Sequence, residues 1–259
     1  FINTSIMPAA RTISGACTLG TDIYLIYRKN SSGSDYTETI YKYDTITNVL
    51  TSVHDGVYSS DIKRYLLYRE SDRCFYSLLS KSIYKYDPSS NWKYDPVAEH
   101  VLSFTDITDA FIYKDTTIVA FNRGGTVNLY NLDTKSFVSV SFPSSVLGYL
   151  PSSYYTPGFL MNDYLYLMDL HTSSSKTDWR IYKFSLLTNS WDTSAITIDT
   201  SLITVKDLMD SYVERVGDKV FIFGGINSSY QESSDAYMYD ISNNVVIKLA
   251  KTLDRGYYK

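Results

Sequence analysis

"DKVFIFGGINSS", residues 218–229, decides how this chain is read. Four apolar residues, Val220–Phe223, run straight into Gly224–Gly225, in a chain of 259 residues with only 12 glycines. A short apolar run bounded by turn residues reads as a β-strand. Two consecutive residues without a Cβ at its end call for a sharp turn or a close approach of backbone to backbone. The question is whether other strands in the chain end the same way.

A repeat lies behind the tyrosines. "IYKYDTITNV" (40–49), "IYKYDPSSNW" (83–92), "VNLYNLDTKSF" (127–137), "IYKFSLLTNSW" (181–191) and "AYMYDISNNV" (236–245) share one frame. Each has an aromatic at a fixed place (Tyr43, Tyr86, Tyr130, Phe184, Tyr239), then a polar turn, then an apolar residue that opens another strand. The aromatics recur every 43 to 55 residues, the period of a four-stranded propeller blade rather than of a helical repeat. A second set lies upstream: "TDIYLIYR", "KRYLLYRE", "TTIVAFNR", "NDYLYLMDL" and "DKVFIFGG". From Tyr24, Tyr65, Val119, Tyr166 and Phe221 the distance to the later aromatic is 19, 21, 11, 18 and 18 residues. This offset predicts equivalent second strands at 22–27, 64–68, 117–121, 164–168 and 219–223. No stretch of ten or more residues has helical periodicity, so the expected class is all-β.

"VFIFGG", a variable loop, "AYMYD", a polar turn and an apolar strand together resemble a kelch repeat. "PAARTISGACTLGTDIYLIYR" (8–28) is similar to the run that opens a blade in that family, and Trp92 and Trp191 match the tryptophan after its third strand. The resemblance covers nearly the whole chain in divergent copies. It implies a kelch-type β-propeller of four-stranded antiparallel blades, one domain over 1–259. At the positions of the double glycine the other repeats carry Tyr27–Arg28, Tyr68–Arg69, Asn122–Arg123 and Asp169–Leu170, so wider turns are expected there. "FINTSI" (1–6) lies five residues before Arg11, as "VVIKLA" (245–250) lies five before Arg255. That match predicts residues 1–6 as a strand of an incomplete last blade in a six-bladed ring, with a five-bladed ring as the alternative. Without an initiating Met, the chain is read as processed or as part of something longer.

Composition bounds the function. With 24 Lys and Arg against 28 Asp and Glu, the chain lacks the basic excess of a nucleic-acid footprint, and no apolar run reaches the length of a membrane-spanning helix. Tyrosine, at 26 residues, favours half-buried pleated surfaces; at strand spacing these rings are expected to fill the core and the layers between blades. Cys17 and Cys74 are expected as buried free thiols. The compartment leans towards the cytoplasm, while the N-x-S/T triplets at Asn3, Asn30 and Asn227 leave secretion open.

Catalytic patterns are sparse. His54, His100 and His171 are placed in separate connections without a clustered partner, so neither a metal site nor a cofactor is expected. The feature that stands out is Arg28, Arg69 and Arg123, aligned at the second-glycine position of three consecutive repeats. Arginine's planar fork suits carboxylates and phosphates, so a crescent binding an acidic or phosphorylated protein segment is expected. Tyr36, Trp179 and Tyr230, in the loops after second strands, are the other candidate contacts; Trp179 reads equally as the buried start of a third strand. The resemblance implies a non-catalytic interaction module of scaffold or adaptor type. The alternative is a secreted enzyme or carbohydrate-binding propeller related to galactose-oxidase-like domains.

Overall fold

A computed structural model describes residues 12–30, 36–59, 65–78, 82–98, 107–122, 126–143, 156–172, 177–227 and 229–250. They form five sheets in which each strand lies beside the next in sequence. The first comprises β1 (Thr12–Leu19), β2 (Asp22–Asn30), β3 (Tyr36–Asp44) and β4 (Val49–Ser59). The second comprises β5 (Tyr65–Arg69), β6 (Cys74–Leu78), β7 (Ile83–Asp87) and β8 (Lys93–Ala98). The third comprises β9 (Ile107–Tyr113), β10 (Thr117–Asn122), β11 (Thr126–Asn131) and β12 (Phe137–Ser141). The fourth holds β13 (Gly158–Met161), β14 (Tyr164–Asp169), β15 (Arg180–Ser185) and β16 (Ser190–Trp191), with β17 (Ile196–Thr197) added on β15. The fifth holds β18 (Tyr212–Val216), β19 (Lys219–Phe223), β20 (Ala236–Asp240) and β21 (Val245–Lys248). The chain divides into two compact units, Phe1–Ala120 with Asn128–Val138 and Phe121–Val127 with Ser139–Lys259. Residues 1–6 and those beyond 250, on which the six-blade expectation rests, lie outside the described residues.

The turn between third and fourth strands explains the repeat. The residue after each conserved aromatic is Asp44, Asp87, Asn131, Ser185 or Asp240, and its side chain caps the turn. Asp44 Oδ1 accepts from the amides of Ile46 (2.8 Å) and Thr47 (3.0 Å). Asn131 Oδ1 accepts from those of Asp133 (3.0 Å) and Thr134 (2.8 Å). Asp87, Ser185 and Asp240 accept from Ser89, Thr188 and Asn243. Three residues of turn then meet a left-handed residue at Asn48, Asn91, Lys135, Asn189 and Asn244, a conformation that asparagine tolerates best after glycine. The aromatic closes the unit: Tyr43 donates to Asn48 Oδ1 and Tyr239 to Asn244 Oδ1.

Short strands of this kind bury their faces only by stacking sheet on sheet. Tyr24 and Ile26 of the first sheet meet Phe75, Tyr86 and Trp92 of the second, with the Phe75 and Trp92 rings stacked at 5.3 Å. The other face of the second sheet, through Cys74, Tyr76 and Leu78, meets Ile107, Ile118 and Tyr130 of the third. Every residue of β6 is therefore buried. In the second unit Tyr166, Met168 and Ile181 pack against Val213, Val220, Ile222 and Tyr237. The tyrosines at strand spacing serve as inter-sheet packing, as expected. Cys74 is buried, but Cys17 is only partly so; burial still pushes its thiol up to about 11. His54 lies within β4 rather than in a connection, and His100 lies outside the described residues.

Register corrects one blade. The conserved aromatics pair with Ile23, Phe75, Leu165 and Val220 on the strand before. The second strand of the second sheet is thus Cys74–Leu78, and 65–69 is its first strand. The 21-residue offset from Tyr65 spans two hairpins instead of one; both hairpins are tight and both strands apolar, so periodicity could not separate them. The other four expected second strands fall on β2, β10, β14 and β19.

The double glycine has a physical cause. Gly224 and Gly225 have φ of 65° and 99°. A Cβ on Gly225 would sit 2.5 Å from Ser211 Oγ and 2.9 Å from the Met209 carbonyl, because Met209 and Ile226 exchange both backbone hydrogen bonds (2.9 and 2.7 Å). The chain leaving β19 is laid directly on the segment entering β18. Elsewhere the corner is made by other means. β2 simply runs on, pairing Arg28 with Glu38 and Asn30 with Tyr36. After β10, Asn122 Oδ1 accepts from the amide (3.0 Å) and hydroxyl (2.8 Å) of Thr126.

Gly225→Ala should therefore lower stability by about 2–5 kcal/mol, combining overpacking with a disfavoured φ. Gly217→Ala, at φ 63° with nothing within 4 Å of its Cβ, should cost only about 1 kcal/mol. Urea denaturation midpoints of the two variants check the difference.

Candidate functional site

The second unit gathers polar side chains where the segments after second strands meet the linker that enters β18. Three contacts build the floor. Trp179 lies just before β15, fully buried, and its indole Nε1–H donates to the Lys206 carbonyl at 2.9 Å, while its ring meets Tyr237 edge-on at 5.5 Å. The Leu208 amide donates to the Leu170 carbonyl at 3.1 Å. Residues 206–208 are thus pinned from both sides, and the Asp207 side chain turns towards the segment that follows β14. Its Oδ1 accepts from His171 Nδ1–H (2.9 Å) and the Thr172 amide (3.2 Å). Its side chain is only 9% exposed, and Oδ2 is buried without a hydrogen-bond partner.

The opposite wall is the loop 226–235, ordered by Asn227. Asn227 Oδ1 accepts from the amides of Ser229 and Gln231, both at 2.9 Å, and Nδ2 donates to Gln231 Oε1 at 2.9 Å. This geometry commits the amide of the one N-x-S/T asparagine whose side chain is described. Tyr230 projects from the loop tip, 71% exposed, at φ 58°. Between the two walls lies a depression of about 450 Å³, lined by Lys206–Leu208 on one side and Asn227 and Gln231–Ser233 on the other.

Behind it, Asp235 anchors two cations. Lys206 Nζ lies 2.6 Å from Asp235 Oδ2 and Lys248 Nζ 2.6 Å from Oδ1; the Tyr237 hydroxyl also donates to Oδ2 at 3.2 Å. Burial pushes the Asp235 carboxyl up, but the two ammonium groups outweigh it and hold it below the ordinary carboxylate range. Burial, with the Asp235 charge beside it, raises the Tyr237 phenol. Among the described residues no three His, Cys, Asp or Glu side chains converge on a point where a metal ion could be held.

The residues expected to bind a partner fall differently. Of the two readings of Trp179, the buried one holds and the loop contact is corrected: it lies just before β15 and fills the layer between the fourth and fifth sheets. Tyr230 stands where expected. Tyr36 begins β3, and Arg28 is in β2, but both side chains, and Arg123 altogether, lie outside the described residues. Arg69 is a second correction. It ends a first strand, so it sits at the opposite end of its sheet from a residue that ends a second strand. Its Nε donates to the Asp115 carbonyl at 2.7 Å, and its guanidinium pairs with Asp133. Asp115 in turn accepts from the Glu70 (2.7 Å) and Ser71 (2.8 Å) amides. Arg69 thus ties the second sheet to the turns of the third, and the expected crescent loses its middle member. Asp207 and His171 went unnoticed as a site because 36 residues separate them, and neither belongs to a short motif.

Comparisons agree with this geometry. Residues 213–251 match the Kelch motif model, which covers the fifth sheet and its double glycine. A solved structure, "Structure of YjhT", superposes with a TM-score of 0.60 over 96% of this chain and 86% of that one, at 11% identity. No curated protein matches in sequence. The fold is a β-propeller of kelch type, with five four-stranded antiparallel blades among the described residues.

Two variants check the electrostatics. Asp235→Asn should cost about 1–3 kcal/mol at neutral pH, a buried charge-assisted pair discounted for half-exposed lysines. A carboxyl held low in the folded state stabilises above its unfolded pKa and loses that contribution as pH falls through the lower folded value. The gap between wild type and variant should therefore close as urea midpoints are taken from pH 7 to below pH 4. Arg69→Ala should cost about 2–3 kcal/mol, with little recovered by Arg69→Lys, since an ammonium cannot reproduce the fork.

Proposed function

We propose that this chain is a protein-interaction module of scaffold or adaptor type, without catalytic activity of its own. It takes a segment of a partner protein across the loops that follow second strands and precede first strands. The observation that carries this reading is the depression between residues 206–208 and the loop 226–235, built on a buried frame, with an exposed aromatic, Tyr230, at the tip of that loop. A rigid floor with an adaptable polar rim is how scaffolded loops recognise segments. An acidic or phosphorylated partner would have to rely on Arg28 and Arg123, since Arg69 is engaged within its own unit.

A photo-crosslinking residue at Tyr230 tests the reading, with Leu187 as control. Leu187 is 65% exposed but lies in the turn between third and fourth strands, at the other end of its sheet. A discrete partner should be captured from Tyr230 and not from Leu187. Capture from neither position, or equally from both, overturns the reading.

A second reading, a catalytic or carbohydrate-binding propeller, draws on the His171–Asp207 pair beside the same depression. A carboxylate that orients an imidazole is the arrangement of general-base catalysis. Turnover or glycan binding that is lost in His171→Ala, with nothing captured at Tyr230, would decide for it.

A further inference from the structure

We propose that His54 makes the seam between the first and second sheets acid-labile: a neutral imidazole lets the seam close, and a protonated one forces it open. This inference lies in the first unit and is independent of the interaction reading above.

Backbone geometry seats the ring there. β4 is an edge strand of its sheet, and its pairing with β3 slips twice, between Glu38 and Thr39 and between Ile40 and Tyr41. Val53 and Gly56 are the extra residues, one on each side of His54–Asp55. A bulge re-aims side chains and lets successive residues turn to the same side. Val53 accordingly packs against the cluster that holds Tyr24, Phe75, Tyr86 and Trp92. His54 meets the same layer, its ring 5.9 Å from that of Tyr86 at 67°.

The surroundings suit only the neutral ring. Nε2 is buried and has no hydrogen-bond partner. In the protonated imidazole it is an N–H donor without an acceptor, and a full charge enters a layer of aromatic rings; both are costly. The described groups around it offer little relief. Asp55, the next residue on β4, is exposed and accepts from the Ser52 hydroxyl at 3.2 Å. Lys42 on β3 is a like charge, held by Asp22 at 2.7 Å. From β2 and β7 the layer receives the phenols Tyr24, Tyr84 and Tyr86, not carboxylates. Burial accordingly pushes the imidazole below the ordinary histidine range, and Asp55 opposes this only in part.

A histidine held low in the closed seam takes up its proton more readily once the seam opens and water reaches it. Above the open-state value, about 6.5, both states are neutral and pH has no effect. As pH falls below that value the open state gains, until the lower closed-state value is reached. An edge strand with two interruptions in its ladder has the least to lose by opening.

Amide hydrogen exchange in the whole chain, wild type against His54→Gln, tests this. Glutamine stays polar at that position but cannot take up a proton. Between about pH 7.5 and about pH 5, the ratio of wild-type to variant exchange rate for the amides of β3 and β4 should rise by about threefold or more. The same ratio for β19 and β20, in the second unit, should stay constant. In wild type, the NMR signals of the His54 ring should titrate below about 6.5; this measurement needs no variant and carries the test if His54→Gln does not fold. A constant ratio at β3 and β4, a rise shared equally by β19 and β20, or a His54 titration at or above the ordinary value overturns the proposal.

Discussion

The structure depends on sheets having to cover one another. A four-stranded sheet with strands of about five residues has two apolar faces and too little area to hide either alone. Within each unit a sheet is therefore stable only when a neighbour covers it, and side chains that alternate along a strand can face two different layers. β6 shows this most directly. Phe75 belongs to the layer shared with the first sheet, Cys74, Tyr76 and Leu78 to that shared with the third, and nothing in the strand reaches solvent. The abundance of tyrosine follows. A ring fills the wide gap between twisted sheets, and its hydroxyl still reaches a polar partner at the edge, as Tyr65 does with the carbonyls of Ile107 and Thr108.

Edges are governed by different rules from layers. At the turns between third and fourth strands, a polar cap and a left-handed residue recur five times, and the aromatic before the cap ties turn to core. At the exit from second strands no single solution recurs among the described residues. Gly224–Gly225 allow backbone to lie on backbone in the fifth sheet, and an asparagine cap or a longer hairpin serves elsewhere. The recurring turn closes one end of each sheet, and the candidate site lies at the other.

That site is built from inside outward. Trp179 and Leu170 lock the backbone of residues 206–208, and the lock leaves one carboxylate oxygen of Asp207 turned away from water with no donor. Around it the lysines are balanced by Asp235 and the loop is ordered by Asn227.

The sequence by itself determined the class of fold. The third strands with their turns are contiguous and obey local rules: an aromatic, a capping Asp, Asn or Ser, and a left-handed Asn or Lys within six residues. Such a unit is legible wherever it falls, and five copies spaced like propeller blades identify the architecture. Only the tertiary structure decided which strand is second in the second sheet, since two tight hairpins of similar composition differ in pairing and not in pattern. The same slip placed Arg69 beside Arg28, when its guanidinium in fact belongs to Asp115 and Asp133, some 46 and 64 residues away. Trp179 read equally as a loop contact or as a buried strand start, because its burial depends on a neighbouring sheet rather than on local pattern. Asp207 and His171 are remote from each other in sequence for the same reason. Local patterns record backbone conformation, whereas charge pairing and burial are set by whichever segments folding brings together.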